Sequence, residues 1–504
     1  MKTMLSSRIH HYLAIITTFL IMVALIAGIA GCNGNGDGNV ESYTLTISST
    51  SGGSVTEPEQ ATSTHDEGTV VNLVAEPEEG YTFVNWTGDV ATIANVEDAT
   101  TTITVNGAYS ITANFAQIAP EGVAIYDWYD LAAIEDGLAG HYRLMNDLDS
   151  NTAGYMELAS PAANGGKGWE PIGTGVLGVW EPATPYSPVA PFVGSLDGQG
   201  YEIRDLSINR PGEEDVGLFS CMGYQGVIRN VGLPSASVTG GSRVASLVGV
   251  SAGTVTSAFA AGLVNGEESI DGSSMTVGGL IGFNYGSVLS AHFIGNVAGD
   301  GCVGGLVGVN GALTNISRCY SAGSVTGKSY VGGLVGCHYG TVNESYCTGD
   351  VIGWAAVGGL VGRNFGIVSD CYSTGSVTRS EYYLSWLGGF VGYIDSGTIT
   401  KCYSTGSVSY ANAADPTDKG FAGGLNITGN YEMTGNFWDT QTSGQAATAG
   451  DATGKTTAQM QSIATFSGEA WSIVAVANPS TRNTSYIWNI VDGETYPFLS
   501  WQSV

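Results

Sequence analysis

Charged side chains are scarce in this 504-residue sequence: they make up 12% of it, and the basic ones are the fewest. Sixteen Lys and Arg stand against 45 Asp and Glu, which gives a formal net charge of −29. A protein that binds nucleic acid needs clustered basic side chains to displace the counterions of the phosphates. The composition therefore argues against nucleic acid as a partner, and it favours a solvated, self-repelling surface.

Metal-binding and catalytic motifs are also missing. The chain has six histidines and no His-Glu-x-x-His sequence, which excludes the zinc-peptidase arrangement of that motif. Cys337 and His338 are adjacent, but metal ligation needs several such residues at short spacing. Gly249-Val250-Ser251-Ala252-Gly253 fits the nucleophile-elbow pattern, yet no strand-to-helix context follows it. We expect no metal, no cofactor and no catalytic residue.

Glycine is abundant, with 75 residues, or about twice its usual share of roughly 7%. It recurs in register, because Gly-Gly-Leu-Val-Gly or a close variant returns at intervals of 26 to 35 residues. The copies begin at Gly278, Gly304, Gly332, Gly358, Gly388 and Gly423. A repeat of this length buries its apolar face only by stacking on its neighbours. With degenerate copies from Val216 onward, the pattern predicts a solenoid of about eight coils.

The repeat also contains columns of equivalent residues. A small residue recurs at Ala258, Ala291, Cys319, Ser345, Cys371 and Cys402, and the residue after it is Phe259, His292, Tyr320, Tyr346, Tyr372 or Tyr403. Because successive strand residues point to opposite faces, we expect the small column inside and an aromatic ladder on the other face. A third column, Val277, Val303, Val331, Val357, Leu387 and Ala422, is predicted to be core.

The corners of the coils are assigned from residue type. Glycine adopts positive φ without a steric cost, so we expect the repeated glycines to turn the chain. Asn284, Asn310 and Asn364 lie between glycines and suit the same left-handed conformation.

The residues Gly278 to Gly282 and their copies, followed by Cys-Tyr-Ser-Thr-Gly-Ser-Val-like text at Cys319, Cys371 and Cys402, resemble the GLUG motif of bacterial surface proteins. The resemblance covers about 125 to 500 and implies an all-β, right-handed parallel β-helix. We assign 123–215 to an N-terminal cap and first irregular coils, 216–430 to the GLUG β-helix, and 431–504 to a C-terminal cap with a short helix near 458–463. Some immunoglobulin A peptidases carry the motif in a non-catalytic part, and their activity does not carry over without its zinc motif.

Residues 1–32 are predicted to be a lipoprotein signal peptide. A basic start precedes an apolar run from Leu13 to Ile29, and Ile29-Ala30-Gly31-Cys32 resembles a bacterial lipobox, in which Cys32 would be lipidated. The alternative is an uncleaved anchor helix. Residues 33–42 would then be a flexible tether, and the membrane would be a partner through the lipid. Asn33 is not the Asp that resembles an inner-membrane retention signal, so we expect the outer membrane if the cell has one.

Residues 43–117 resemble an InlB B-type repeat, a small β-grasp-like module of surface proteins. Alternating runs such as Tyr43 to Ile47 and Thr69 to Ala75 predict strands, and Gly80 to Trp86 carries the aromatic part of the pattern. We expect Trp86 to be a core residue of this module. After a linker at 117–122, Tyr126 to Ile134 has the spacing of a helix that covers the first coil.

Seven cysteines remain once Cys32 is set aside, and four occupy or adjoin the small-residue column. This favours buried thiols over a disulfide framework. A bridge between the stacked Cys371 and Cys402 is a hypothesis.

The acidic residues of the coils do not recur in one column, whereas polysaccharide-cleaving sites need grouped carboxylates. These residues are Asp300, Glu344, Asp350, Asp370 and Asp395. The leading hypothesis is a surface lipoprotein of the cell envelope that acts in adhesion without catalysis. Its candidate contact ladder for a glycan or protein is Tyr320, Tyr346, Tyr372 and Tyr403. A carbohydrate-binding or carbohydrate-active protein and a purely structural spacer are the alternatives.

Replacing Cys32 by Ser tests the predicted lipid anchor. We expect the wild-type protein, produced in a bacterial host, to enter the detergent phase of a Triton X-114 partition and Cys32→Ser to lose that behaviour. Each buried methylene of an acyl chain contributes about 0.8 kcal/mol to membrane binding. Asn35→Ser is the control and should behave as wild type. Retention of the wild type through an uncleaved, unmodified N-terminus, seen by mass spectrometry, would contradict the prediction.

Overall fold

The computed structural model describes residues 41–58, 62–78, 81–117, 122–174, 190–267, 275–380, 386–411, 414 and 416–502. These residues form two compact units, divided between residues 119 and 120. The predicted signal peptide, Cys32 and almost all of the tether lie outside the described residues. Within the described ranges, no helix combines the length and apolar character needed to cross a bilayer.

The first unit consists of seven strands in two sheets. They are β1 (Ser42–Ser49), β2 (Gly53–Glu57), β3 (Thr62–Asp66), β4 (Thr69–Pro77), β5 (Tyr81–Gly88), β6 (Thr100–Val105) and β7 (Tyr109–Gln117). One sheet has the order β3-β1-β7-β5, in which the central pair β1–β7 is parallel and both outer pairs are antiparallel. The other has the order β2-β4-β6.

Alternation along these strands builds the core between the two sheets. Leu45 and Ile47 of β1, Leu73 of β4 and Ile111 of β7 are buried, while their neighbours face outward. Trp86 is 1% exposed, and its indole N–H donates to the carbonyl of Asp98 at 3.0 Å. The prediction that Trp86 is a core residue is therefore confirmed.

The second unit is a parallel β-helix, as predicted. Its coils contribute strands to three long parallel faces of eleven, eighteen and eight strands. The eleven-strand face contains Val123–Ile125, His141–Leu144, Ser195–Asp197, Val227–Arg229, Thr254–Thr256, Ser287–Leu289, Asn315–Ser317, Thr341–Asn343, Ile367–Ser369, Gly397–Thr400 and Tyr431–Thr434. The eight-strand face contains Phe219–Met222, Val248–Ser251, Ile281–Asn284, Val307–Asn310, Val335–His338, Val361–Asn364, Val391–Ile394 and Ala422–Leu425. The eight strands of this face, counted over the described residues, agree with the predicted stack of about eight coils.

The eighteen-strand face takes two short strands or one long strand from most coils. It contains Ser207–Val216, Gly232–Val244, Phe259–Gly266, Thr276–Gly278, His292–Gly299, Cys302–Gly304, Tyr320–Gly327, Tyr330–Gly332, Tyr346–Cys347, Asp350–Gly353, Ala356–Gly358, Tyr372–Ser373, Val377–Arg379, Trp386–Gly388, Tyr403–Ser404, Val408–Tyr410, Phe437–Asp439 and Thr453–Lys455.

Two of the predicted columns fill the interior. The Val277, Val303, Val331, Val357, Leu387 and Ala422 column is fully buried. The small column, Ala258, Ala291, Cys319, Ser345, Cys371 and Cys402, is at most 1% exposed. Burying one such apolar side chain contributes about 1.5–3 kcal/mol, so the repeated column is a large part of the stability of the stack.

The repeated glycines have the predicted role at only some positions: Gly262, Gly295 and Gly323 have positive φ of 132°, 156° and 114°, but the glycines of the Gly-Gly-Leu-Val-Gly phrase have a different role. None of Gly278, Gly304, Gly332 and Gly358 has positive φ. They are needed for close approach: a Cβ on Gly332 would lie 2.0 Å from the carbonyl oxygen of Val335 in the same coil, and one on Gly333 would lie 2.1 Å from that of Gly359 in the next coil. The Gly-Gly pair is therefore a site where two backbones touch.

The left-handed corner is occupied by residues other than glycine. The six positions that precede the small column have φ between 50° and 54°, or 46° at Glu344; they are Ser257, Ser290, Arg318, Glu344, Asp370 and Lys401. Asn230, before Val231 in an earlier coil, has φ of 53°. Asn284, Asn310 and Asn364 instead are fully buried in the eight-strand face, which corrects their predicted role.

Two of the buried asparagines, Asn284 and Asn310, form a hydrogen-bonded ladder with His338. Asn284 Nδ2 donates to Asn310 Oδ1 at 2.8 Å, and Asn310 Nδ2 lies 3.2 Å from His338 Nδ1. The Nε2–H of His338 donates to the carbonyl of Ile367 at 3.1 Å, so Nδ1 is the acceptor. Burial lowers the pKa of His338 to about 4, which keeps this neutral form. The ladder satisfies polar groups that would be costly if left unpaired in the interior.

One disulfide, Cys302–Cys337, joins the eighteen-strand and eight-strand faces of successive coils. The sequence analysis did not predict this pair. Cys319, Cys347, Cys371 and Cys402 are buried free thiols, as favoured above. The Cys371–Cys402 bridge is wrong, since each thiol hydrogen donates to a carbonyl two residues earlier in its own coil, Ser369 or Thr400.

The N-terminal end of the stack is covered by short helices. They are α1 (Trp128–Ala132), a 3-10 helix (Ala133–Gly137), α2 (Tyr155–Leu158) and the irregular turn α3 (Ala163–Gly166). Asp127 caps α1 by accepting from the backbone N–H of Asp130. Trp128 and Leu131 are buried in the core of the stack, so the predicted covering helix is confirmed.

After the last coils, the chain forms the short helix α4 (Thr440–Ser443). The C-terminal segment, residues 456–502, then lies beside the stack more than across its end. It contains α5 (Thr457–Met460), α6 (Ile463–Ser467) and a small sheet of Ile473–Ala475, Trp488–Ile490 and Phe498–Leu499. Residues 456–502 pack against the side of coils that contain Tyr346, Tyr372 and Tyr403. The expected closure of the end is made by an earlier part, in which Trp438, Ala449 and Ala452 contact the core.

Replacing Gly333 by Ala tests the close approach of successive coils. We expect Gly333→Ala to lower the free energy of unfolding by about 1–3 kcal/mol, because the new methyl group would overlap the Gly359 carbonyl. Gly468→Ala is the control: it has φ of −64°, and its nearest backbone contact is 3.4 Å. Urea unfolding compares the variants, and equal midpoints would contradict the argument.

Candidate functional site

The predicted aromatic ladder exists and is six rings long. Phe259, His292, Tyr320, Tyr346, Tyr372 and Tyr403 are paired in register on consecutive strands of the eighteen-strand face. Parallel strands lie about 4.8 Å apart, so equivalent rings stack directly on one another. The centroid separations are 5.2, 4.4, 4.9, 4.9 and 5.0 Å, with interplanar angles of 6° or less. We call these six residues the ring column.

The two ends of the ring column differ in exposure. Phe259, His292, Tyr320 and Tyr346 are partly exposed, whereas Tyr372 and Tyr403 are 6% and 1% exposed. The C-terminal segment causes this difference, because Trp488 packs against both Tyr372 and Tyr403 with centroids 6.0 and 5.8 Å apart. Trp501 packs against Tyr346 at 5.8 Å. The ring column therefore has a covered half and an open half.

Hydrogen bonds fix the C-terminal segment on the covered half. The Tyr403 hydroxyl donates to the Pro497 carbonyl at 2.6 Å. The indole N–H of Trp488 donates to Asp370 Oδ1 at 3.0 Å, and that of Trp501 donates to the Glu344 carbonyl at 3.0 Å. Both acceptors belong to the left-handed corner residues of their coils. The segment thus recognises rings and corner groups together.

The proposed contact ladder needs correction at two of its four residues. Tyr372 and Tyr403 lie beneath the C-terminal segment and are inaccessible to a ligand in this structure. Burial raises the pKa of each hydroxyl far above its usual range, so both remain protonated. The Tyr372 hydroxyl accepts from Gln502 Nε2. Tyr346 is half-covered by Trp501, and Tyr320 belongs to the open half. Sequence could not reveal this cover, because the covering residues are about 100 positions away.

The open half consists of Phe259, His292 and Tyr320, and it is uncharged. Burial lowers the pKa of His292, which keeps its imidazole neutral at pH 7. Ile294 follows two residues after His292 and is 46% exposed, as is Leu263 on the preceding strand. Among the described residues, the aromatic contacts of the C-terminal segment reach Tyr346, Tyr372 and Tyr403 but not these rings. The open half is therefore an exposed apolar continuation of a packed surface.

A hollow of about 510 Å³ adjoins the outermost ring, Phe259. Its lining includes Asp197, Asn230 and Ser257. Gly232 lies under Phe259 and has no side chain, which leaves room for the ring; a Cβ there would lie 2.3 Å from the Phe259 ring. Asp197 is engaged by Arg229 and Asn230, so the hollow has a fixed polar wall.

The five acidic residues considered above each have a structural partner. Asp300 pairs with Lys328, Glu344 with Arg318, Asp395 with Arg363, Asp350 with Ser376 and Asp370 with Trp488. Within the described ranges, no three His, Cys, Asp or Glu side chains form a group that could hold a metal ion. The named carboxylates are thus engaged in contacts within the protein.

A second aromatic surface, which the sequence analysis missed, lies on the outer side of the eight-strand face. Arg363 is central to it, where equivalent positions hold Val309, Cys337 and Tyr393. Its guanidinium lies 4.9 Å from the Tyr330 ring and bonds both oxygens of Asp395 at 2.6 and 3.0 Å. The signal in the sequence was a single charged residue in an otherwise uncharged column of the repeat.

Models of two known families match segments of the two units. Residues 43–119 match the family described as "Divergent InlB B-repeat domain". Residues 355–378 and 387–409 match "The GLUG motif". The chain contains an InlB B-repeat domain and GLUG repeats. The resemblances to the InlB B-repeat and to the GLUG motif are thus confirmed, and the GLUG matches fall on two coils of the stack.

Two curated relatives share parts of this chain. Halomucin from Haloquadratum walsbyi is 36% identical over 146 residues, which are 28% of this chain and 1% of halomucin. A protein of Evansella cellulosilytica named "Putative Gly-rich membrane protein" is 31% identical over 99 residues, or 20% of this chain and 9% of that protein. The chain thus matches only small parts of both relatives.

Among solved structures, a Bacteroides ovatus protein named as a "putative immunoglobulin A1 protease" is similar to 76% of this chain and 93% of its own. The TM-score is 0.39 and the sequence identity is 15%. Similarity at this level supports no conclusion about the fold or activity of the GLUG stack.

Replacing Asp370 by Asn tests the electrostatics of the covered half. Burial is the main cause that raises the pKa of Asp370 above 3.8, against smaller opposing effects of Trp488 and Lys401. A raised pKa means that folding favours the protonated acid, so its stabilisation is complete below pH 3.8 and is lost as the pH rises through the folded pKa. We expect Asp370→Asn to be more stable than wild type at pH 7.

The same variant should match wild type at pH 3, where the carboxyl is protonated in both folded and unfolded chains. Urea unfolding at both pH values measures the difference, and Asp350→Asn is a matched control for which no such change is expected. A less stable Asp370→Asn at pH 7 would show that the ionised carboxylate gains more from Trp488 than it loses by burial.

Proposed function

We propose that this protein is a cell-envelope contact protein that binds a partner protein through the open half of the ring column and catalyses no reaction. In this proposal, lipid at Cys32 anchors the chain and residues 33–42 separate the domains from the membrane. One relative is named as a membrane protein, which supports an envelope location.

The unequal cover of the ring column supports this proposal most directly. One half of a continuous aromatic surface is packed under the chain's own C-terminal segment, and the other half is exposed together with Leu263 and Ile294. Contiguous exposed apolar surface on a soluble domain commonly marks an interaction site. Aromatic residues at the centre of an interface also tend to contribute most of its binding energy.

The C-terminal segment indicates the chemistry of the partner. It binds the covered half with aromatic side chains, and its indole N–H groups donate to corner residues of the coils. The same left-handed corner recurs beside the open half at Ser257, Ser290 and Arg318. We infer that the partner presents an extended segment with Trp or Tyr side chains at similar spacing.

Catalysis is not supported by the contacts of the coil carboxylates, all five of which have structural partners. A second candidate function, carbohydrate binding, is favoured by one specific observation: Trp386 is 43% exposed on the second aromatic surface. A purely structural spacer would have neither binding activity.

Selection from a phage library of random 15-residue peptides tests the proposed function without knowledge of the partner. We expect peptides that contain Trp or Tyr to be enriched on the wild-type chain. Leu263→Asp combined with Ile294→Asp should reduce their binding at least tenfold, because charge is placed on the contact surface. Both residues are exposed, so folding should be little affected.

Ile427→Asp is the matched control, because Ile427 is 92% exposed and lies in a loop beyond the eight-strand face. It should bind the enriched peptides as the wild type does. Failure to enrich any peptide, or equal binding by the Leu263→Asp and Ile294→Asp double variant, would overturn the proposal. Cells that display the wild type should also adhere to partner-coated surfaces more than cells that display the double variant.

A further inference from the structure

The outer side of the eight-strand face has a regular arrangement of three columns. The first is Thr276, Cys302, Tyr330, Ala356 and Trp386 from the eighteen-strand face. The second is Phe283, Val309, Cys337, Arg363, Tyr393 and Gly424. The third follows each of these strands with Tyr285, Gly311, Tyr339, Phe365 and Asp395. The three columns run side by side, so a typical coil contributes one residue to each of them.

Contacts between the first two columns run diagonally, from one coil to the next. Cys302 meets Cys337 in the disulfide, and Tyr330 meets Arg363. In the last such contact Trp386 meets Gly424, where a Cβ would lie 2.1 Å from the indole Cδ1. The missing side chain at Gly424 therefore allows the indole to lie flat against the next coil.

Trp386 and Tyr393 form an exposed aromatic platform. Their ring centroids are 4.2 Å apart at an interplanar angle of 40°. Trp386 is 43% exposed, although a free indole surface of this size is costly to leave in water. The other aromatic residues nearby, Tyr330 and Phe365, are engaged with the two sides of Arg363. The platform is thus the part of the surface that is open to a ligand.

The Arg363–Asp395 pair supplies fixed hydrogen-bonding groups beside this platform. Arg363 donates from Nε and Nη2 to Asp395 and from Nη1 to the Tyr330 hydroxyl at 3.0 Å. These bonds use three of the five N–H groups of Arg363, and the other two could donate to a ligand. The guanidinium carbon also lies 4.9 Å from the Tyr330 ring centroid and 4.8 Å from that of Phe365, and such ring contacts help to position the pair.

The charge of the site limits the class of ligand. The bidentate Asp395 neutralises Arg363, so the pair offers no net attraction to an anion, and the chain as a whole is strongly acidic. A cationic ligand would meet Arg363 beside the rings. A neutral molecule with an apolar face for the indole and hydroxyl groups for Arg363 and Asp395 fits both features.

We propose that Trp386, Tyr393, Arg363 and Asp395 form a binding site for a neutral saccharide. A pyranose would place its C–H face on Trp386, because the electron-rich face of the indole attracts the C–H hydrogens of the sugar. Its hydroxyl groups would accept from Arg363 and donate to Asp395. The site is separate from the open half of the ring column, and its existence does not depend on the proposed protein partner.

Affinity electrophoresis of the full chain tests this site. The gels contain β-1,3-glucan, xylan or galactomannan as neutral probes, and polygalacturonate as an anionic probe. We expect retardation by at least one neutral probe and none by polygalacturonate. Trp386→Ala should weaken that retardation at least tenfold, while Trp386→Phe should keep part of it because the aromatic face remains.

Gly424→Ala is a second variant that displaces the indole without removing it, since the new methyl group would overlap Trp386. It should also lose binding. Tyr129→Ala removes an aromatic residue that is 50% exposed at the N-terminal end of the stack, and it should bind as wild type. Circular dichroism checks that each variant is folded.

Three results would overturn the proposal: no retardation by any neutral probe, equal retardation of Trp386→Ala and wild type, or preference for polygalacturonate. The peptides selected on the ring column separate this site from the proposed function. Trp386→Ala should still bind those peptides, and the Leu263→Asp and Ile294→Asp double variant should still bind the saccharide.

Discussion

In-register stacking of parallel coils is the constraint on which the second unit depends. Strands about 4.8 Å apart place each residue over its equivalent in the next coil, so one choice of side chain is repeated along the whole stack. Inside, this produces the Val column and the asparagine ladder; outside, it produces six stacked rings. Glycine is required where this spacing would otherwise bring a Cβ into a neighbouring carbonyl, as at Gly333.

In-register stacking also explains where binding surfaces arise. Along the ring column, each inner ring packs its two faces against the rings above and below it, so these faces are not available to a partner. What remains for a partner is the edge of the column and the places where the repeat is broken. The C-terminal segment uses the first at Tyr372 and Tyr403, and Trp386 beside Gly424 is an example of the second. The surfaces available to a partner in this fold are therefore the edges of its regular columns and the departures from the repeat.

Much of the fold was predictable from periodicity. The glycine phrase, the Val column and the small-residue column specified the stack, and the alternation around Trp86 specified the first unit's core. The sequence could not separate positive φ from close approach as the reason for a glycine, and the asparagines were misassigned for the same reason. Neither the Cys302–Cys337 disulfide nor the Arg363–Asp395 pair was predictable, because both join residues of different columns in successive coils.

The sequence by itself determined the repeat, a stack of coils and the existence of a ring column, since each follows from residues at fixed spacing, and the resemblance to the GLUG motif implied the parallel β-helix. Only the tertiary structure decided which rings are accessible. Tyr320 and Tyr403 occupy equivalent positions of the repeat, yet one is partly exposed and the other is 1% exposed. The difference comes from Pro497 and the tryptophans of the C-terminal segment, which fold back over the later coils and bury the surface that the repeat alone would leave open.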